Sequence, residues 1–483
     1  MEELDRASRP SGSSVRTTGD GRLFVLGQEG VFFAPERQEL YIFNAPATFV
    51  WCSVEEASTD AEIVERYAEV FGVDRIRAQA DVARLLAQWR GAGYIEQPGL
   101  LPEEPVPFEV ALTRLIVNPR LRSAFARDPC ATAIELNVDL EVRGVFTMLD
   151  PTEIDAQANR LQKRASRRDM AMPLADSMLT TAVAGDRTAL DLAVARKLQQ
   201  ADAPPIECCY RMLATHVRIR YASAAQAARV HPVLTHLRVE HDPTETSVSL
   251  DVVETEEGHV ILDELVVRGY ARTLQGLAPV VKHLIAQMAR ARSTYFMEIH
   301  AGVVARGDKC LLLPGPSGSG KSTLTLALVE SGFDYLSDEV ALLDDKTLAV
   351  HPFPLSIGIK PPAVPVVERF RPEVAALDVH MRDDGKTVRY VAPARGRCAA
   401  DVALPARWLI FPRYDPNART ALQPMTPSAA LRRLLEQCTS LPELLDETRV
   451  ERLVQWMRRL PCFDLPMSSL KEAVEQVQHV CTP

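Results

Sequence analysis

The chain has 483 residues, 47% hydrophobic and 25% charged, with a net charge of −9, enough for two or three soluble domains with real cores. The acidic balance excludes the basic footprint of a nucleic-acid binder, and no run of about 18 apolar residues is present to span a membrane. Nine scattered cysteines without a CxxC pair fit a reduced, cytoplasmic protein better than a disulfide framework.

Residues 1–20 are polar, lack the apolar core of a signal peptide, and read as a disordered tail. A first domain is expected over 21–97, as three strands and three helices in a winged-helix-like arrangement. The strands are "RLFVL", "GVFFA" and "ELYIFN", separated by turn residues. Asn44 is a suitable N-cap for "APATFVWCSV", and Thr59 and Glu62 are spaced as a capping box for a helix stopping at Gly72. A third helix, Arg75 to Arg90, carries Ala78, Val82, Leu85, Leu86 and Trp89 on one face. A Pro-rich linker (97–107) leads to a helical middle segment over 108–198, which includes the basic stretch "RLQKRASRRD" (160–169). From 205 to 483 the pattern is α/β. "SVSLDVVE" and "HVILDELVV" form a hairpin, "LAPVVKHLIAQMA" is an amphipathic helix, and C-terminal helices lie near 428–438, 441–458 and 467–480.

Within that last region, Gly315-Pro316-Ser317-Gly318-Ser319-Gly320-Lys321-Ser322 fits G-x-x-x-x-G-K-[ST]. It follows the buried-strand run "CLLLP" and opens the helix "STLTLALVES", the context this motif requires. Backbone N–H groups of residues 315–320 would curl around nucleotide phosphates and Thr323 would extend the cradle; Lys321 would reach the β/γ-phosphates and the Ser322 hydroxyl would ligate Mg²⁺. Asp338 and Glu339 follow the short strand "FDYL". One could hold metal and the other orient or accept a hydroxyl proton, although a surface turn accounts for the pair as well. His300 stands between two strands; taken alone, it fits a core histidine better than a catalytic one. Lys360 and Arg413 sit at strand ends where a cation could meet developing phosphate charge.

The spacing of these residues resembles the HPr serine kinase family, P-loop protein kinases related in fold to phosphoenolpyruvate carboxykinase. His300 precedes Lys321 by 21 residues, and Asp338 and Glu339 follow it by 17 and 18. The resemblance implies an ATP- and Mg²⁺-dependent serine kinase. Asp338 would be nearest the acceptor hydroxyl, Ser322 a magnesium ligand, and Glu339 and His300 supporting groups; it also implies a homo-oligomer. The family pattern has Asp where this chain has Glu339. The glycine-rich signature loop of true HPr kinases is replaced by "HPFPLSIGIKP", so the likeness is to the broader HPr-kinase-related group, with HPr as substrate and reversal both in doubt.

The first domain resembles the PqqD-like peptide-recognition domain: a β-turn-β run ending in Asn44, Trp51 in the next helix, and a closing "GYIE". Such domains bind leader peptides of ribosomally made, post-translationally modified peptides (RiPPs) as an added strand. If "ELYIF" is the edge, Leu40, Tyr41, Ile42 and Phe43 define the pockets, and Arg77, Asp81 and Arg84 of the third helix could meet leader charges. A winged helix reading DNA is the rival, disfavoured by acid excess. The whole chain then reads as a kinase that captures a precursor peptide and phosphorylates a serine, with other peptide-modifying enzymes as further partners. The alternative is a nucleotide-regulated escort ATPase without phosphotransfer. No LSGGQ-like run supports an ABC-type ATPase.

Overall fold

A computed structural model describes residues 17–19, 21–56, 58–95, most of 111–154, 206–240, 246–263, 266–393, 402–442 and 444–481. The start of the tail, the 97–107 linker and the basic stretch at 160–169 lie outside the described residues. Two compact units are present, Met1–Leu174 with Leu444–Gln455, and Ala175–Glu443 with Trp456–Pro483.

In the first unit, β1 (Arg22–Leu26), β2 (Glu29–Ala34) and β3 (Glu39–Phe43) form an antiparallel sheet in that order, leaving β3 at an edge. Helices α1 (Ala45–Glu55), α2 (Asp60–Phe71) and α3 (Arg75–Ala92) follow. Each begins where a side chain satisfies a free backbone donor. Asn44 accepts from the Ala47 N–H, Thr59 and Glu62 complete a capping box, and Asp74 accepts from the Arg77 N–H. Gly72 and Gly93 end α2 and α3 in the left-handed region, where glycine carries no Cβ penalty. The helices bury Trp51, Ala78, Val82, Leu86 and Trp89 against Phe32 of β2, and Leu85 is partly buried beside them. The Phe32 and Trp51 rings meet edge-on at 4.5 Å, and truncating either should cost about 3–5 kcal/mol.

Farther along, α4 (Pro119–Arg127), α5 (Pro129–Glu135) and α6 (Leu140–Thr147) close over a small core in which Phe125 and Phe146 meet edge-on at 5.4 Å. Pro119 and Pro129 open helices, the position where a missing N–H costs nothing. The 444–455 segment is tied in by Gln38: its Nε2 donates to the Leu445 carbonyl at 3.0 Å, and the Leu445 N–H donates to its Oε1 at 2.6 Å.

The second unit opens with β4 (Ile206–Met212), β5 (Thr215–Tyr221), α7 (Ala224–Leu234), β6 (Arg238–Val239), β7 (Thr246–Thr255), β8 (Gly258–Asp263), β9 (Val266–Ala271) and α8 (Leu274–Arg290). Its six-stranded sheet runs β6-β4-β5-β7-β8-β9. The expected single return strand over 259–267 is two strands: β8 pairs with β7 as far as Asp263, and β9 then pairs back onto β8.

Next come β10 (Tyr295–Ile299), β11 (Ala301–Arg306), β12 (Lys309–Pro314), α9 (Lys321–Glu330), β13 (Asp334–Ser337), β14 (Ala341–Asp344), β15 (Val350–His351), β16 (Ile357–Ile359), α10 (Val364–Val367), β17 (His380–Met381), β18 (Thr387–Val391) and β19 (Ala406–Tyr414). The chain finishes with β20 (Gln423–Pro424), α11 (Pro427–Glu436), β21 (Cys438–Ser440), α12 (Glu447–Arg459), β22 (Cys462–Met467) and α13 (Leu470–Val480). A sheet ordered β13-β11-β12-β19-β22-β20 packs on α9 and α13. Strands β12, β19 and β22 are mutually parallel, whereas β11 is antiparallel to both β12 and β13. Helix α8 buries Val281 and Ile285 in a core shared with Phe353, Leu355 and Leu342 of β14, so the layer that opens this unit packs on a third sheet, ordered β15-β14-β10-β21.

Candidate functional site

Strand direction assembles the site. The start of β11 and the ends of β12, β13, β19 and β22 share one edge of the sheet, because antiparallel pairing reverses β11 relative to its neighbours. That edge therefore gathers His300, the loop after Pro314, Asp338-Glu339, Tyr414 and Met467 around a cleft of about 1270 Å³. The acids arrive from β13, which is separated from β12 by β11.

Between β12 and α9 the loop turns through Gly318 and Gly320, both at positive φ (92° and 86°). The φ of Gly320 is one that side chains rarely adopt, so glycine suits this N-cap, and a Cβ there would also push aside the terminal methyl of Met467. The cap carries no side-chain hydrogen bond, leaving the first N–H groups of α9 facing the cleft, the arrangement that favours an anion. The loop is braced by the Tyr414 N–H donating to the Ser319 carbonyl at 2.9 Å.

Lys321 is buried and its Nζ lies 3.2 Å from His300 Nε2. The other ring nitrogen, Nδ1, is 2.9 Å from the Glu339 carbonyl. A hydrogen on Nδ1 satisfies that carbonyl and leaves Nε2 to accept from the lysine. Burial and the adjacent Lys321 charge push the His300 pKa down to about 4, so the ring is neutral at pH 7.

The two acids differ. Asp338 is 3% exposed, its Oδ1 has no hydrogen-bond partner, and burial raises its pKa to about 6 against the opposing pull of Lys321 and the Ser322 hydroxyl. The Glu339 side chain reaches the cleft; burial works against its charge, but Lys282 outweighs it, with help from Lys321, and holds the pKa below the usual carboxylate range.

Of the residues expected here, Pro316 through Thr323 apart from Ser319, together with His300, Asp338, Glu339 and Lys360, line the cleft. Gly315 and Ser319 lie in the loop without facing it, and Lys360 Nζ donates to the Ser317 hydroxyl. Arg413 is not brought in. It turns toward Asp415 and Asp464, at 3.5 and 3.7 Å, because alternation along β19 aims it away from the loop. Sequence reasoning did not find Lys282, Arg382 or Tyr390. The last two line the cleft from the β17–β18 hairpin, and no motif marks them.

Among the described residues no group of three His, Cys, Asp or Glu could hold a metal. A cation at this cleft would need Ser322 and phosphate oxygens beside the carboxylates, the mixed oxygen set that Mg²⁺ takes. The unpartnered Asp338 oxygen fits such an arrangement. No described helix is long and apolar enough to cross a membrane.

In the first unit, no strand among the described residues pairs with the outer edge of β3. Tyr41 is exposed, and Leu40, Ile42 and Phe43 are half-buried. Phe43 stacks on Phe32 and Trp89, at 5.2 and 5.4 Å, so it belongs to the floor of any groove between β3 and α3. On α3, Asp81 is held by Arg84 at 3.1 Å and by the Tyr67 hydroxyl at 3.5 Å, while the Arg77 backbone is capped by Asp74.

The family described as Coenzyme PQQ synthesis protein D (PqqD) matches residues 29–95, from β2 through the end of α3. No curated protein matches the chain.

Proposed function

We propose that the chain is an ATP- and Mg²⁺-dependent kinase. Its PqqD-like domain captures a ribosomally made precursor peptide, and its second unit phosphorylates a serine of that peptide. The supporting observation is the convergence of an uncapped helix N-terminus, Lys321 and a buried carboxylate with one unpartnered oxygen, Asp338, at one cleft.

On this reading the α9 N-terminus and Lys321 grip the nucleotide phosphates, and neutral His300 keeps the lysine aimed. Ser322 with Asp338 or Glu339 would hold Mg²⁺, which neutralises phosphate charge when bound. Asp338 orients the serine hydroxyl and takes its proton as the oxygen–phosphorus bond forms and ADP leaves. A carboxylate poised near pH 6 can accept that proton. The outer β3 edge supplies main-chain donors and acceptors to an extended leader segment.

The test is intact-mass spectrometry of a precursor peptide incubated with the full-length protein, ATP and Mg²⁺. A gain of one phosphate, lost with Lys321→Ala while peptide binding persists, is expected. Peptide-stimulated release of free phosphate with no phosphopeptide would replace the kinase by an escort ATPase.

A further inference from the structure

Lys282 has no part in the phosphate grip or the proton transfer, and its placement is costly. It lies on α8, a helix of the six-stranded layer, with a side chain 3% exposed between the core residues Val281 and Ile285. A buried ammonium costs several kcal/mol unless paired, and an apolar residue of similar length often serves stability as well or better. The pairing is specific. Nζ donates to Glu339 Oε1 at 2.5 Å and sits 4.9 Å from the centre of the Tyr390 ring. The Glu339 side chain is 46% exposed on the cleft side, and its backbone carbonyl is held by His300. The pair is thus asymmetric, its cation in the core and its anion in the cleft.

We infer that Lys282 is a positioning residue that holds Glu339 as a fixed carboxylate at the phosphate end of the cleft, leaving Asp338 as the acid that exchanges a proton with the acceptor hydroxyl. The six-stranded layer then contributes one side chain to the chemistry, delivered through the core it shares with β14. The catalytic consequence rests on the kinase reading; the anchoring of Glu339 does not.

The experiment uses full-length wild type, Lys282→Met, Lys282→Arg, Glu339→Gln and the Lys282→Met/Glu339→Gln double variant. Phosphopeptide formation, the affinity for ATP with and without Mg²⁺, and thermal stability are measured for each. Lys282→Met should lower kcat roughly 10- to 100-fold with little change in the KM for ATP, as removal of an orienting partner does. It should also shrink the gain in ATP affinity that Mg²⁺ confers, and Lys282→Arg should restore part of both. The double variant, free of any unpaired charge, should fold at least as well as Lys282→Met and be no slower than the slower single variant. Multiplying effects in the double variant, or an unchanged Mg²⁺ gain in Lys282→Met, would overturn the inference. If wild type forms no phosphopeptide, the kinase reading falls, and the Mg²⁺ dependence of ATP affinity still decides the role of Lys282.

Discussion

Asp338 carries a cost that the fold bears only above mild acidity. Its pKa rises from 3.8 to about 6 because burial disfavours the charge. Its contribution to stability is therefore fully present below pH 3.8 and lost as pH rises through 6. The loss amounts to about 3 kcal/mol at pH 8, since each tenfold weakening of a carboxyl's acidity on folding is worth about 1.4 kcal/mol. Asp338→Asn should accordingly melt higher than wild type at pH 8, with the gain vanishing near pH 4, while losing phosphotransfer. Equal melting temperatures across that range in thermal scans would mean the carboxylate is better solvated than its surroundings indicate. The motif made Lys321 and Ser322 legible, and the spacing of acids and histidine drew attention to Asp338, Glu339 and His300. Lys282 was illegible: it reads as one polar position on an amphipathic helix, and its partner lies 57 residues away.

Elements were legible where a local rule sets their ends. The Asn44 and Thr59 caps sit at helix starts, since a free backbone N–H has few other remedies there. The short strands β21 and β22 merge into expected helices or spacers, because three to six residues give too few repeats to separate a period of 2 from 3.6. At β3 the outer edge gives a sharper expectation. Of Tyr41 and Ile42, neighbours in the strand, one directs its N–H to β2 and the other outward. Proline at the outward position should abolish leader binding with little loss of stability, and at the inward position it should destabilise the sheet. Isothermal titration with a synthetic leader, beside melting curves, separates the two; full affinity in both variants would place the recognition surface elsewhere.

At the scale of the molecule, the proposed fusion of capture to catalysis would raise the local concentration of the acceptor serine. A peptide without its leader should show a KM roughly 10²- to 10⁴-fold higher at similar kcat, read from steady-state phosphopeptide formation. A fall in kcat instead would mean the leader also activates the second unit. Boundaries at this scale were only partly legible. The Pro-rich linker stands out by composition, but the assignment of Leu444–Gln455 to the first unit rests on contacts such as Gln38 with Leu445, which no periodicity encodes.

That assignment makes the first unit discontinuous: the chain leaves it after 174, re-enters at 444 and leaves again after 455. A protease nick placed between residues 97 and 107 would therefore cut the backbone while Gln38 still bonds Leu445 and Arg22 still pairs with Glu447 at 2.8 Å across the cut. The same piece expressed by itself would display those unmatched groups to solvent.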